Sequence, residues 1–172
     1  QTCVNTLEAG VIASVAAGNE GEALNNNPVP NNVRVPGSCP APWIHPDQQS
    51  NAGGKTSVIC VGAVDYDDQP CYFSSEGPVT WNGTSYSYSD YDYKANNAKK
   101  IGLIRPDVCA PGYLIQSSSW EYPNYYYEYM SGTSMATPCV AGAIALLLDA
   151  DPSLTPAKIC EALETTAVKL SV

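Results

Sequence analysis

A serine that opens a helix directly after an extended segment and a glycine is well placed to act as a nucleophile. Ser134 has this setting, in the string Gly132-Thr133-Ser134-Met135-Ala136-Thr137-Pro138. Its hydroxyl would lie at the positive end of a helix dipole, beside N–H groups that have no partner within the helix. Its own N–H could donate to a developing oxyanion. Position alone favours a serine that only caps the helix, the usual task of a serine there. The string is not a Gly-x-Ser-x-Gly elbow, because position 136 is Ala. A second polar group ends an apolar run, in Ala16-Ala17-Gly18-Asn19-Glu20-Gly21. An Asn at such a place ordinarily forms a turn. Held rigidly, its amide is also a neutral donor suited to an oxyanion.

A serine nucleophile needs a base within hydrogen-bond reach. The single histidine, His45, lies in Pro42-Trp43-Ile44-His45-Pro46 and reads as a loop-packing residue. The acidic clusters Asp65-Tyr66-Asp67-Asp68 and Asp90-Tyr91-Asp92 read as solvated turns. A calcium site would need six or more oxygens drawn from several segments. Asn82-Gly83-Thr84 is a glycosylation sequon, a weak signal by itself. The seven cysteines cannot all pair within the chain, and no CxxC points to zinc. Cys60, Cys109 and Cys139 sit in apolar stretches and read as small buried hydrophobes. Cys39 and Cys71, nearer loops, are the better disulfide candidates.

The elements that must hold these groups follow from periodicity. Thr2 to Gly10 reads as a helix stopped by Gly10. Val11 to Ala17 and Ser57 to Val64 are near-continuous apolar runs, as in parallel strands buried on both faces. Cys71 to Ser75 reads as a short strand, Val108 to Gly112 ends another, and Leu114 to Ser118 and Tyr125 to Tyr129 read as extended. The tyrosine stripe from Tyr122 to Tyr129 reads as strand and packing. Ser134 to Ala150 is a strong helix, in which Pro138 comes early enough to be tolerated. A last helix has Thr155 as N-cap, Pro156 at its first position and an inner stripe of Ile159, Ala162, Leu163 and Thr166. Buried strands alternating with helices predict an α/β layer structure. The stretches 22–50, rich in Asn and Pro, and 79–106, rich in Tyr, read as insertions.

The 172 residues suffice for one domain with a real core. Eight Lys and Arg against 17 Asp and Glu give a net charge of −9, which argues against nucleic acid as a partner. The longest apolar run, Ala141 to Leu148, is too short for a membrane span. Gln1 opens the chain, and no signal peptide is recognisable there.

The string GTSMATP followed by Val140-Ala141-Gly142 resembles the nucleophile signature of the subtilisin-like serine peptidases, the subtilase family. AAGNEG resembles the segment that carries that family's oxyanion asparagine. SVICVGAVDYDDQPCYFSSEGP and PDVCAPG resemble its intervening segments in order and spacing. Cys139 stands where the family's helix usually has a non-catalytic histidine. The resemblance implies a three-layer fold with a mostly parallel sheet, of which residues 1–172 would be the C-terminal portion of the catalytic domain. It implies a serine endopeptidase acting on polypeptides, with Ser134 as nucleophile and Asn19 as oxyanion donor. Ala16, Ala17, Gly18, Glu20 and Thr133 would line the substrate site, and Glu20 would favour a basic or polar side chain there. No cofactor would be required, although structural calcium is common in the family. The catalytic Asp and His precede the asparagine in this family, and neither motif occurs here. An N-terminal portion of the same protein would supply them, and residues 1–172 alone would be inactive. The family would place the protein outside the cell or at its surface. The alternative is a catalytically inactive module that binds peptides or serves a structural role.

Overall fold

A strand whose residues are apolar at every position must be covered on both faces. In the computed structural model of the chain, Val58–Val64 is such a strand, buried at all seven positions. The structure describes residues 1–21, 27–29, 31–46, 55–79, 103–120 and 126–170. The elements are α1 (Thr2–Glu8), β1 (Ala13–Ala16), β2 (Val58–Val64), β3 (Val108–Pro111), β4 (Ile115–Ser118), β5 (Tyr127–Met130), α2 (Thr133–Ala150) and α3 (Pro156–Thr166). The first three strands form a parallel sheet in the order β1-β2-β3, with Ala16 opposite Val61 and Val64 opposite Pro111. β4 and β5 pair antiparallel as a separate hairpin.

Two cores follow from the alternation of β2. Ile59, Val61 and Ala63 face Ala136, Val140 and Ile144 of α2 and Ile159 and Cys160 of α3. The buried positions of α2, Thr133, Ala136, Val140 and Ile144, recur at helical spacing and so form one stripe. Full burial of an Ile or Val is worth ~1.5–3 kcal/mol. Cys60 lies in the other core, among Ala17, Val33, Val79 and Leu103, a layer built from loops. A buried ion pair ties that layer together. Arg105 donates to Asp107 through Nη1 and to the Gly37 carbonyl through Nε at 3.1 Å, while Asp107 accepts from the Cys60 N–H at 2.7 Å. Both side chains are essentially sealed from solvent. Burial lifts Asp107 to about 6, against the pull of Arg105 and the Cys60 N–H.

Several expectations need correcting. β1 is half-buried along its length, because no second strand pairs with it among the described residues. Cys71 to Ser75 is a turn, since its amides bond back to Ala63 and Gly18 rather than along a ladder. Cys109 and Cys139 are exposed, the first on β3 and the second on α2, where its thiol faces the Pro111 carbonyl of β3. All seven thiols are free, so neither Cys39 nor Cys71 is bridged, and Cys39 neighbours Cys3. Thr166 is exposed, and the buried stripe of α3 is Ile159 and Cys160. By length and composition α2 would suffice to cross a membrane, since its Thr, Ser and Gly residues extend the apolar run. Here it packs on the sheet as a core helix. Tyr126, Tyr127 and Tyr129 are exposed, because the two-stranded hairpin has no covering layer among the described residues.

Of the stretch 22–50, the described residues form turns and bends. Val79 and Leu103 bridge each other and are buried, while residues 80–102, including Asp90, Asp92 and the sequon, lie outside the described residues. Asp65 caps its own turn by accepting from the N–H groups of Asp67 at 2.9 Å and Gln69 at 3.0 Å.

Arg105→Met should leave Asp107 buried without its partner. We expect a loss of about 3–5 kcal/mol, read from the urea midpoint of unfolding. A second expectation concerns Glu164, pushed up to about 7 by burial and then by Asp107. An unfolded Glu ionises near ~4.3. Between these values the fold retains a proton that the unfolded chain releases, so stability should fall as pH rises through that window. Glu164→Gln should flatten this fall in thermal melts taken from pH 5 to pH 8.

Candidate functional site

The end of β1 and the start of α2 converge because β1 pairs with β2 and α2 packs across both. Ser14 in β1 donates through its Oγ to the Thr137 carbonyl of α2 at 3.0 Å. The chain leaves β1 through Ala17, whose N–H bonds to Val61 and whose side chain is fully buried. Gly18 follows at φ +114°, a conformation that side chains rarely adopt. A Cβ there would also meet Glu20 Oε2 at 2.6 Å and Arg34 Cγ at 2.7 Å. The next residue, Asn19, therefore turns toward α2.

Asn19 is held by its carbonyl oxygen. Its Oδ1 accepts from the Thr133 N–H at 3.0 Å and from the Thr133 hydroxyl at 3.0 Å. The same hydroxyl accepts from the Gly18 N–H at 3.2 Å. With Oδ1 taken, the Nδ2 donor lies next to Gly132, 3.2 Å from where a Cβ would be. The side chain is thereby fixed with its N–H groups beside the N terminus of α2. Sequence reasoning made Thr133 a substrate-lining residue. In the structure it is 1% exposed and committed to Asn19 and Gly18.

Ser134 is the second residue of α2 and is exposed. Its N–H belongs to the first turn, where the helix supplies no acceptor. Pro138, inside the helix, cannot donate to the Ser134 carbonyl, yet α2 runs on through it. The helix start is seated on Gly112, which follows β3. The Gly132 N–H bonds to the Gly112 carbonyl at 2.8 Å, and a Cβ at Gly112 would come within 2.6 Å of the Ala63 Cβ. This contact permits no side chain.

Glu20 is already engaged. Its Oε1 pairs with Arg34 Nη2 at 2.5 Å and its Oε2 accepts from the Ser75 hydroxyl at 3.2 Å. Arg34, then desolvation in opposition, then Ser75 govern its acidity, and the balance lowers its pKa. Sequence reasoning singled out neither Arg34 nor Ser75. Arg34 sits in the Asn- and Pro-rich stretch 22–50, and nothing local marks it. His45 packs edge-on against Trp43, with ring centroids 5.7 Å apart. The Trp43 carbonyl faces the Cys160 thiol of α3, so the ring pair belongs to the α3 side of the fold.

Against this geometry stand the comparisons with known proteins. The model of the subtilase family matches residues 2–172. Subtilisin E of Bacillus subtilis strain 168 is 32% identical over 164 residues, covering 95% of this chain and 30% of its own length. Serine protease AprX of the same organism is also 32% identical, covering 91% of this chain and 30% of its own length. The solved structure of Sphericase superposes with a TM-score of 0.61 at 25% identity, over 94% of this chain and 41% of that one. A cold-adapted subtilisin-like serine proteinase gives 0.56 at 26%, over 95% and 41%. The chain thus spans about a third of the length of the curated relatives just named.

Thr133→Val keeps the side-chain shape while removing a donor to Asn19 and the acceptor for Gly18. We expect about 1–2 kcal/mol of destabilisation, measured by chemical denaturation.

Proposed function

The chain belongs to the subtilase family and has a subtilisin-like α/β fold, and on that footing we propose that it carries the nucleophile and the oxyanion site of a serine endopeptidase. The observation that carries this reading is the double anchoring of Asn19 Oδ1 by Thr133, beside the first turn that bears Ser134. A side-chain amide free to rotate would lose much of its value as an oxyanion donor, because reorganisation would be needed during the reaction. An anchored amide needs none.

In this reading Ser134 Oγ attacks the peptide carbonyl and forms an ester with the acyl part of the substrate. The proton from Oγ passes to a histidine and then to the leaving amine. The negative oxygen of the tetrahedral intermediate accepts from the Ser134 N–H and from Asn19 Nδ2. Thr133 is a positioning residue that acts through Asn19. Ala16 and Gly18 supply backbone to the wall of the substrate site, Ala17 supports them from the core, and Glu20 stands at the edge.

The histidine and its aspartate partner come, in our proposal, from an N-terminal portion of the same protein. Residues 1–172 are then the C-terminal portion of a catalytic domain, with insertions at 22–50 and 79–106. The half-buried edge strand β1 and the exposed Ala141, Ala145 and Leu146 face of α2 suit such completion, since edges and apolar faces favour cover. The substrate is a polypeptide, and the family relationship favours action outside the cell.

Fluorophosphonate labelling tests the proposal. The complete protein should be labelled at Ser134, and residues 1–172 alone should not. Asn19→Leu in the complete protein should lower kcat about 10²–10³-fold with little change in KM. Absence of labelling in the complete protein would instead favour the non-catalytic peptide-binding or structural module.

A further inference from the structure

The carboxylate beside Asn19 does not stand alone. The Arg34 stem lies over Gly18, with Cγ 2.7 Å from where a Cβ would be, so its guanidinium reaches the edge of the loop that carries Asn19. One of its nitrogens, Nη2, holds Glu20 Oε1. Nε and Nη1 have no hydrogen-bond partner among the described residues, and the side chain is 63% exposed. The backbone beneath is fixed. The Arg34 N–H donates to the Ala17 carbonyl at 2.8 Å, the Arg34 carbonyl accepts from Ser38 at 3.1 Å, and buried Asn32 bonds to the Glu20 carbonyl. Ser75 closes the far side, accepting from the Glu20 N–H at 3.0 Å while donating to its carboxylate.

Resting on the peptidase reading, we propose that Arg34 is a specificity-determining residue that receives a carboxylate of the substrate, so that cleavage favours an acidic residue on the acyl side of the scissile bond. A lysine or arginine entering beside Glu20 meets a carboxylate already paired and a guanidinium of like charge. An aspartate or glutamate meets the unpaired N–H groups of Nε and Nη1, each of which can donate a charge-assisted hydrogen bond to a carboxylate oxygen. Glu20 opposes this by repulsion, which keeps the preference moderate. It also holds the guanidinium in place, which lowers the entropy lost on binding. This preference is opposite in charge to the basic one of the basic or polar pair that the Glu20 carboxylate alone would favour.

The test uses the complete protein and peptides that differ only in the residue before the cut. At low salt, kcat/KM for Glu should exceed that for Lys by about 10-fold, and the ratio should shrink in 0.5 M salt. Arg34→Gln retains most of the stem over Gly18 and releases Glu20, so the ratio should reverse in favour of Lys. Arg34→Lys should keep an acidic preference, and Glu20→Gln should enlarge it. Labelling of Ser134 tells a folded variant from an unfolded one, and Arg34→Lys and Glu20→Gln give independent readings should Arg34→Gln not fold. Ratios that agree within twofold across cleaving variants would overturn the proposal and leave Arg34 as a loop clasp. A complete protein that neither labels nor cleaves would remove the peptidase reading, and this inference with it.

Discussion

Two donors of one threonine converge on a single oxygen, Asn19 Oδ1, and the rest of the candidate site is arranged around that convergence. Each neutral hydrogen bond contributes on the order of 1 kcal/mol net. That is small beside a typical folding stability of ~5–15 kcal/mol. The bonds therefore do not hold the strand end and the helix start together. Packing does, through Ile59, Val61 and Ala63 against the stripe of α2. The bonds select one orientation of an amide that packing has already brought into range. Gly18 makes the required turn, and Gly112 lets the helix start sit against β2.

The two faces of β2 are covered by different physics. On the helical face, apolar side chains at helical spacing suffice. On the loop face there is no regular element to satisfy backbone groups among the described residues, and polar groups perform that task. Arg105 gathers carbonyls of Gly37 and Ile104, and Asp107 takes the Cys60 N–H. Burying this pair carries a desolvation cost that its many hydrogen bonds offset. What the arrangement provides is a fixed path for the loop through Val33 to Cys39. Arg34 is part of that path, so the layer that closes the core also sets what stands beside Asn19.

Much of this was legible in residue order. Continuous apolar runs announced β1 and β2, Gly10 marked the end of α1, and the Thr155-Pro156 pair marked the start of α3. The GTSMATP and AAGNEG strings drew attention to Ser134, Thr133 and Asn19 before any fold was known. The failures have identifiable causes. Cys71 to Ser75 is apolar enough for a strand, but its hydrogen bonds go to the Gly18 to Gly21 loop and to β2, which local pattern does not encode. Cys109 and Cys139 sit in apolar runs yet are exposed, because periodicity within four residues does not say which face a neighbour will cover. That Thr133 is buried against Asn19 was likewise not legible, since the partner lies 114 positions away.

The sequence by itself determined the family, the α/β class, the order of the principal elements and the two groups that face the reacting carbonyl in our reading. Those features reside in short strings and in periodicities that survive without knowledge of contacts. Tertiary structure alone decided that Asn19 is anchored through Oδ1 and that Glu20 is paired with Arg34. Both depend on segments distant in sequence being brought within 3 Å of each other. A hydrogen bond is set by angstroms and angles, and no spacing along the chain reports those until the sheet has formed and the helix has packed against it.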